Sequence, residues 1–259
     1  MIYAGCDLGT ISAKAVIIRN GNILAVETLP YKNLPKQAAI QVMEMAKNKA
    51  GLTKENISYC LSTGFGKKAV PFADKDLPEF LCLSRAIHKL DPEIRTVIDA
   101  GGSTIKAFNM DSSGKVTTSA TNEKCAAGTG KFMEVMAQAL EMPIEELSIA
   151  ALESGHALPI TSQCGVFAES EVITHVNEGK DRLDIFAGIS LSVAGKVAAV
   201  TRRISLDQPI AIVGGLAKNP IVVRDIEKEL GISFVECNLD PRAIAAYGAA
   251  LLAEERHAS

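Results

Sequence analysis

The stretch IRTVIDAGGSTIKAFNM, residues 94–110, determines the fold because it repeats the way the chain begins. Residues 2–19, IYAGCDLGTISAKAVIIR, also form an apolar run that ends in an aspartate, passes a glycine turn and continues as a second strand-like run. A polar turn and a third strand follow in both copies, NGN with ILAVETL and DSSGK with VTTSAT. The same unit therefore occurs twice, roughly 90 residues apart, which predicts two similarly folded lobes.

The remainder of the chain predicts strands that alternate with helices. Helices are expected at about 35–50, 126–141, 145–153, 166–178, 182–204, 219–230 and 241–255, with strands at 209–215 (PIAIVGG) and 232–237 (ISFVEC). Such alternation is typical of a mixed α/β fold. We expect one lobe from residues 1–95, completed by 241–259, and a second lobe from residues 96–240.

Composition limits the classes of function. The 259 residues are 47% hydrophobic and 22% charged, with a formal net charge of -3, so no basic surface for nucleic acid is expected. No apolar run reaches the ~20 residues that span a bilayer, and the start MIYAGCDLGT lacks a signal-peptide pattern. The six cysteines are dispersed without a CxxC pair. We therefore expect a cytoplasmic protein without a membrane partner and without a disulfide framework.

Three glycine turns follow apolar strands and predict a phosphate and nucleotide site: DLGT (7–10), DAGGST (99–104) and VGGLAKN (213–219). Glycine lets backbone N–H groups approach phosphate oxygens closely. Asp7 and Asp99 are the candidate catalytic carboxylates, which would hold hydrated Mg²⁺ and orient an attacking water. The candidate nucleotide contacts are Gly9, Thr10, Ile11, Ser12, Ala13, Lys14, Gly101, Gly102, Ser103, Thr104, Gly214, Gly215, Ala217 and Lys218.

The order of these motifs resembles the acetate kinase, sugar kinase, Hsp70 and actin superfamily. The resemblance implies an α/β, two-lobed actin/Hsp70-like ATPase fold with duplicated ribonuclease-H-like lobes and a cleft between them. DLGT would be phosphate loop 1, DAGGST phosphate loop 2 and VGGLAKN the adenosine loop. AYGAALLA (246–253) looks like the second connecting helix, which packs through its small residues at the hinge. ATP or ADP with Mg²⁺ is then the expected cofactor.

Two cysteine segments, KCAAGTGKF (124–132) and TSQCGVFAESEV (161–172), are similar to a narrower family. They resemble the ATP-dependent activators, or archerases, of (R)-2-hydroxyacyl-CoA dehydratases and the ATPase subunits of benzoyl-CoA reductase. The resemblance implies that Cys125 and Cys164 from each of two subunits bind one [4Fe-4S] cluster per homodimer. Two copies would supply the four ligands that such a cluster takes. Lys131 and Glu134, on the helix after Cys125, are candidate adenosine contacts.

The family implies an ATP-hydrolysing electron donor that receives an electron from ferredoxin or flavodoxin and reduces a separate iron-sulfur enzyme. The sequence departs from dehydratase activators at Ser103-Thr104, where they carry Gln-Asp, and at Gly165, where threonine is more usual. A double-cubane cluster protein is therefore a further candidate partner. The glycines of GTG (128–130) would connect the nucleotide and cluster sites. The alternatives are a small-molecule kinase with structural cysteines and a non-catalytic nucleotide-binding regulator.

Overall fold

The computed structural model describes residues 1–52, 56–122, 129–160 and 165–258. Its strands are β1 (Tyr3–Leu8), β2 (Ser12–Arg19), β3 (Asn22–Pro30), β4 (Tyr59–Thr63), β5 (Lys75–Asp76), β6 (Thr96–Ala100), β7 (Ile105–Met110), β8 (Val116–Thr121), β9 (Ile210–Val213) and β10 (Phe234–Val235). Its α-helices are α1 (Pro35–Ala50), α2 (Glu79–Leu90), α3 (Gly130–Ala139), α4 (Ile144–Ala150), α5 (Gly165–Asn177), α6 (Arg182–Thr201), α7 (Pro220–Leu230) and α8 (Ile244–Ala258).

The strands form two five-stranded sheets with the same topology. The first has the order β3-β2-β1-β4-β5, and the second has the corresponding order β8-β7-β6-β9-β10. In each sheet the first strand pairs antiparallel with the second and parallel with the fourth. The first strands, β1 and β6, are buried along their whole length, as continuous apolar runs in a central strand require. The predicted duplication of the strand unit is confirmed.

The chain divides into two compact units. Unit 1 comprises Met1–Arg95, Met110–Thr117 and Cys237–Ser259, and unit 2 comprises Thr96–Asn109 and Thr118–Glu236. The hairpin at 110–117 belongs to unit 1 because its turn lies against His88 of α2. These units differ from the predicted lobes in that hairpin and in the start of the C-terminal segment.

In unit 1, α8 packs against α2, β1 and β4. The side chains of Ala246, Ala249 and Ala250 are fully buried there. Small side chains let a helix lie close to a sheet, so the sequence AYGAALLA packs as the resemblance implied. Its role at a hinge stays a prediction.

The core of unit 2 is mainly helical. α6 is the one described helix with the length and hydropathy of a membrane span, but 61% of its most apolar window is buried. Phe186, Ile189 and Val193 of α6 share a core with Met133 and Met136 of α3. Burial in this core explains the apolar character of α6.

The structure also contains elements that the hydrophobic pattern did not predict. β4, β5 and α2 lie within residues 51–93, where no element was expected. The predicted strand at 232–237 is reduced to the two residues of β10, and the predicted helix at 182–204 ends at Thr201. The expected helix start at 126 lies outside the described residues, and α3 is seen from Gly130 onward. β4 ends in the polar residues Ser62 and Thr63, which weakens its apolar signal.

Candidate nucleotide site

In unit 1, Asp7 lies near the end of β1, directly opposite Lys14 on β2. Lys14 Nζ donates to Asp7 Oδ2 at 2.9 Å, and the two side chains are only 11% and 8% exposed. The other oxygen, Asp7 Oδ1, is buried without a hydrogen-bond partner among the described residues. A buried carboxylate oxygen without a partner is costly, so its free acceptor capacity points to a ligand. A hydrated Mg²⁺ ion fits this oxygen chemically.

Unit 2 reproduces this arrangement with Asp99 and Lys106. Asp99 of β6 lies opposite Lys106 of β7, and Lys106 Nζ donates to Asp99 Oδ2 at 3.1 Å. Lys106 Nζ also lies 3.3 Å from Thr104 Oγ1. Lys106 is the functional candidate that the sequence reasoning missed. The signal was available, because the sequence places a lysine seven residues after each aspartate.

The two phosphate-loop candidates have the same backbone turn. The N–H of Gly9 donates to the Ser12 carbonyl at 3.1 Å, and the N–H of Gly101 donates to the Thr104 carbonyl at 2.9 Å. Among the predicted contacts of the first loop, Thr10 is exposed, whereas Ser12 and Ala13 are buried. Ala13 is fully buried between its register partners in β1 and β3, so its contact with a nucleotide stays a prediction. Gly9 and Ile11 are half-buried, as are Gly101, Gly102, Ser103 and Thr104.

Different groups hold the two turns. The Tyr31 hydroxyl donates to the Gly9 carbonyl at 2.5 Å. Burial, with a smaller contribution from the charge of Asp7, raises the pKa of this phenol, so it remains a donor at neutral pH. In the second turn, the N–H groups of Gly130 and Lys131, at the start of α3, donate to the carbonyls of Gly101 and Gly102 at 3.1 and 2.9 Å.

The adenosine-loop candidate follows β9 and lies against Asp99. Gly214 has a φ of 89°, a conformation that favours glycine, and a Cβ there would lie 2.7 Å from Asp99 Oδ1. Gly215–Lys218 then form a short 3-10 helix. Gly215 is exposed and a Cβ on it would meet no atom within 4 Å, while Ala217 is half-buried and Lys218 is exposed. Open space beside Gly215 is compatible with a flat ring, and the adenosine contacts stay predictions.

Lys131 and Glu134 lie one turn apart on α3. Their side chains approach to 3.5 Å and are 50% and 35% exposed. The structure thus brings these two residues to each other, and their predicted contact with adenosine stays a prediction.

Cys125 and Cys164 lie outside the described residues. The other cysteines are free; Cys6, Cys60 and Cys82 are buried and Cys237 is half-buried. Burial raises the pKa of all four thiols, to about 12 for Cys82 and about 11 for Cys237. These four cysteines are therefore protonated at neutral pH, as expected for packing residues. Within the described part of the chain, no cluster of three or more His, Cys, Asp or Glu residues could hold a metal.

Two like sheets, each with a buried aspartate–lysine pair beside a glycine turn, define an ATPase of the actin/Hsp70-like class. Residues 4–253 match the model of the BadF/BadG/BcrA/BcrD ATPase family, and the chain belongs to this family. The predicted family, fold class and ATPase activity are thereby confirmed.

The chain is similar to characterised members of the family over nearly its whole length. It is 37% identical to the 2-hydroxyisocaproyl-CoA dehydratase activator of Clostridioides difficile, over 98% of this chain and 95% of that one. It is 34% identical to the (R)-2-hydroxyglutaryl-CoA dehydratase activating ATPase of Acidaminococcus fermentans, over 98% and 97%. The solved structure of the C. difficile activator with bound ADPNP matches with a TM-score of 0.94, covering 99% of this chain and 95% of that one.

Proposed function

We propose that this protein is an ATP-hydrolysing iron-sulfur electron donor in the cytoplasm. It acts as a homodimer that transfers single low-potential electrons to a separate iron-sulfur enzyme. The named activities of its relatives favour a 2-hydroxyacyl-CoA dehydratase component as the partner. Because Ser103-Thr104 departs from the Gln-Asp of dehydratase activators, a double-cubane cluster protein is the other candidate partner. Ferredoxin or flavodoxin is the electron source.

The glycine turns and the aspartate–lysine pairs of both units serve ATP. The backbone N–H groups of each turn would bind phosphate oxygens, and Asp7 and Asp99, each in its own unit, would offer carboxylate oxygens to a hydrated Mg²⁺ ion and to the attacking water. Lys14 and Lys106 hold the two carboxylates in place, since each ion pair is almost fully buried. The unpartnered Oδ1 of Asp7 supports this assignment.

Cys125 and Cys164 of each subunit would hold the shared cluster. When bound, a [4Fe-4S] cluster takes up and releases one electron. Two thiolates from each of two chains complete its ligand set. α5 is described from Gly165, the residue that follows Cys164 in the sequence, and the positive end of a helix next to Cys164 would favour its thiolate.

The observation that carries the proposal is the bonding between phosphate loop 2 and α3. Gly101 and Gly102 accept hydrogen bonds from the first residues of α3, the helix that follows Cys125 in the sequence. α3 in turn packs against α5, the helix that follows Cys164. A change in loop 2 on loss of the γ-phosphate therefore shifts α3, the helix that follows Cys125. Because α5 packs against α3, the helix that follows Cys164 shifts as well.

This coupling explains why an electron donor hydrolyses ATP. For a one-electron step, each 59 mV of potential changes the equilibrium tenfold, so transfer at several hundred millivolts below the source needs an external driving force. Movement of α3 and α5 changes the surroundings of the cysteines, and such surroundings set the potential of an iron-sulfur centre.

Anaerobic purification with iron analysis tests the proposal. The wild-type protein should be brown, contain about four irons per dimer and bleach with dithionite. Cys125→Ala and Cys164→Ala should lose the iron, whereas Cys237→Ala, a half-buried thiol of unit 1, should keep it. Wild-type iron content in both cysteine variants, or a wild-type protein that stays colourless after anaerobic cluster reconstitution, would refute the electron-donor function.

A further inference from the structure

Unit 1 contains a fourth glycine turn, residues 63–66 (TGFG), whose place in the fold matches that of the adenosine loop in unit 2. Thr63 of β4 is the register partner of Asp7, just as Val213 of β9 is the register partner of Asp99. The next residue is a glycine in both cases, Gly64 and Gly214, with φ values of 92° and 89°. Each turn then leads into a short 3-10 helix.

Gly64 also contacts the carboxylate as its counterpart does. A Cβ on Gly64 would clash with Asp7 Oδ1 and would lie 2.7 Å from the Leu8 carbonyl oxygen. A Cβ on Gly214 would meet Asp99 Oδ1 and the Ala100 carbonyl in the same manner. Any side chain at position 64 would therefore displace Asp7 or the strand end that carries it.

The turn at 63–66 is bonded to the strand end that carries Asp7. The N–H of Gly66 donates to the Leu8 carbonyl at 2.8 Å, and Ser62 Oγ donates to the Lys67 carbonyl at 3.0 Å. Phe65, between the two glycines, is 73% exposed. The backbone of the turn thus faces Asp7 and its one aromatic side chain faces outward.

We propose that Gly64 is a positioning residue for Asp7, through which the turn 63–66 holds this carboxylate for a nucleotide-bound divalent cation. Neither Gly64 nor any other described residue donates a hydrogen bond to Asp7 Oδ1, so Oδ1 keeps its acceptor capacity for a water ligand of the cation. Because the turn lies in direct contact with Oδ1, cation binding shifts the turn. The inference rests on the proposed role of Asp7 in Mg²⁺ binding.

The matched pair Gly64→Ala and Gly51→Ala tests the contact. Gly51 of unit 1 also has a positive φ, 65°, but a Cβ there would meet nothing within 4 Å. Electron paramagnetic resonance measures Mn²⁺ affinity in the presence of a saturating non-hydrolysable ATP analogue. The affinity should weaken about tenfold in Gly64→Ala, as it does at metal sites when a supporting residue changes. Gly51→Ala should match the wild type. Unchanged Mn²⁺ affinity in a folded Gly64→Ala protein overturns the proposal.

A reporter keeps the proposal testable if Gly64→Ala does not fold. The chain has no tryptophan, and Phe65 is exposed, so Phe65→Trp places the variant's one tryptophan on the turn, where it can be excited selectively at roughly 295 nm or above, beyond tyrosine absorption. Its emission should change when Mg²⁺ is added to the complex with the analogue, and Phe167→Trp, on exposed α5 surface, gives the matched reporter in unit 2. No change at position 65 while Mg²⁺ binds overturns the proposal.

Asp7→Asn separates the two possible failures. If this variant keeps wild-type Mn²⁺ affinity, the proposed cation role of Asp7 fails, and the inference about Gly64 fails with it. If Asp7→Asn loses the cation and Gly64→Ala does not, only the inference about Gly64 fails.

Discussion

Phosphate loops 1 and 2 have the same turn and the same aspartate–lysine pair, yet different parts of the molecule hold them. The Gly9 carbonyl of loop 1 accepts from the Tyr31 side chain, within unit 1. The corresponding Gly101 carbonyl of loop 2 accepts from the backbone of α3, next to the Cys125 segment. The turn and the ion pair are thus duplicated, whereas among the described residues only loop 2 is bonded to α3, the helix that follows the Cys125 segment in the sequence.

The cysteines follow the same division. The four described thiols, Cys6, Cys60, Cys82 and Cys237, all belong to unit 1, and burial raises their pKa values. In the proposed function, unit 2 is therefore the unit that carries both cluster cysteines, while the described cysteines of unit 1 serve packing.

The largest expected effect tests the equivalence of the two aspartates. Asp7→Asn and Asp99→Asn should each lower kcat for ATP hydrolysis by about 100-fold, or about 2.7 kcal/mol in the barrier, because the proposed function has both carboxylates serve the metal and the attacking water. Steady-state phosphate release measures the change. Asp111→Asn, in the β7–β8 hairpin, is the control and should keep wild-type turnover. A loss confined to one of the two site variants would show that the duplicated sites have different roles.

An intermediate effect tests the link between loop 2 and α3. Gly130→Pro removes the N–H that donates to Gly101, and proline is tolerated at the first position of a helix. Thr129 before it is extended, with φ and ψ of -123° and 175°, as a residue preceding proline should be. Loss of one hydrogen bond, about 1 kcal/mol, should raise the ATP hydrolysed per electron transferred about fivefold.

Two controls accompany this variant. Gly130→Ala keeps the N–H and should transfer electrons with wild-type ATP consumption. Tyr31→Phe removes the corresponding bond of loop 1 and should also leave the ATP-to-electron ratio unchanged. If Tyr31→Phe uncouples as strongly as Gly130→Pro, the distinction between the two loops is wrong.

The smallest effect concerns thiol reactivity in the cluster-free protein. At pH 8, iodoacetamide should label Cys125 and Cys164, while all six cysteines react after unfolding in urea. A raised pKa keeps a thiol protonated, and therefore unreactive, up to a higher pH. Labelling of Cys237 should therefore increase only as the pH approaches about 11, and labelling of Cys82 only as it approaches about 12. Peptide mass spectrometry measures both. Rapid labelling of Cys82 at pH 8 in the folded protein would contradict the assignment.

The sequence pointed to much of the candidate site because its signals are local. Asp7, Asp99 and their glycine turns are contiguous with apolar strands, and the repeat makes each copy support the other. Lys106 was missed although its spacing from Asp99 equals that of Lys14 from Asp7. Neither lysine can be paired with a carboxylate without the register of the antiparallel ladder, which follows from tertiary packing.

The role of Gly64 and the contacts of α3 could not be predicted from local sequence patterns, for a different reason. β4 is short and ends in polar residues, so the parallel pairing that brings Gly64 to Asp7 leaves no distinct pattern in the sequence. The bonds from Gly130 and Lys131 join backbone atoms about 30 residues apart, and backbone donors are the same for every residue type except proline.

The sequence by itself determined the duplicated fold, the family and the two aspartate–glycine motifs, since hydrophobic periodicity, glycine turns and short motifs lie in consecutive residues. Only the tertiary structure decided which groups hold each loop: Tyr31 for loop 1 and the start of α3 for loop 2. The physical reason is that strand register and helix docking are set by the packing of the whole unit, through contacts between residues far apart in the chain.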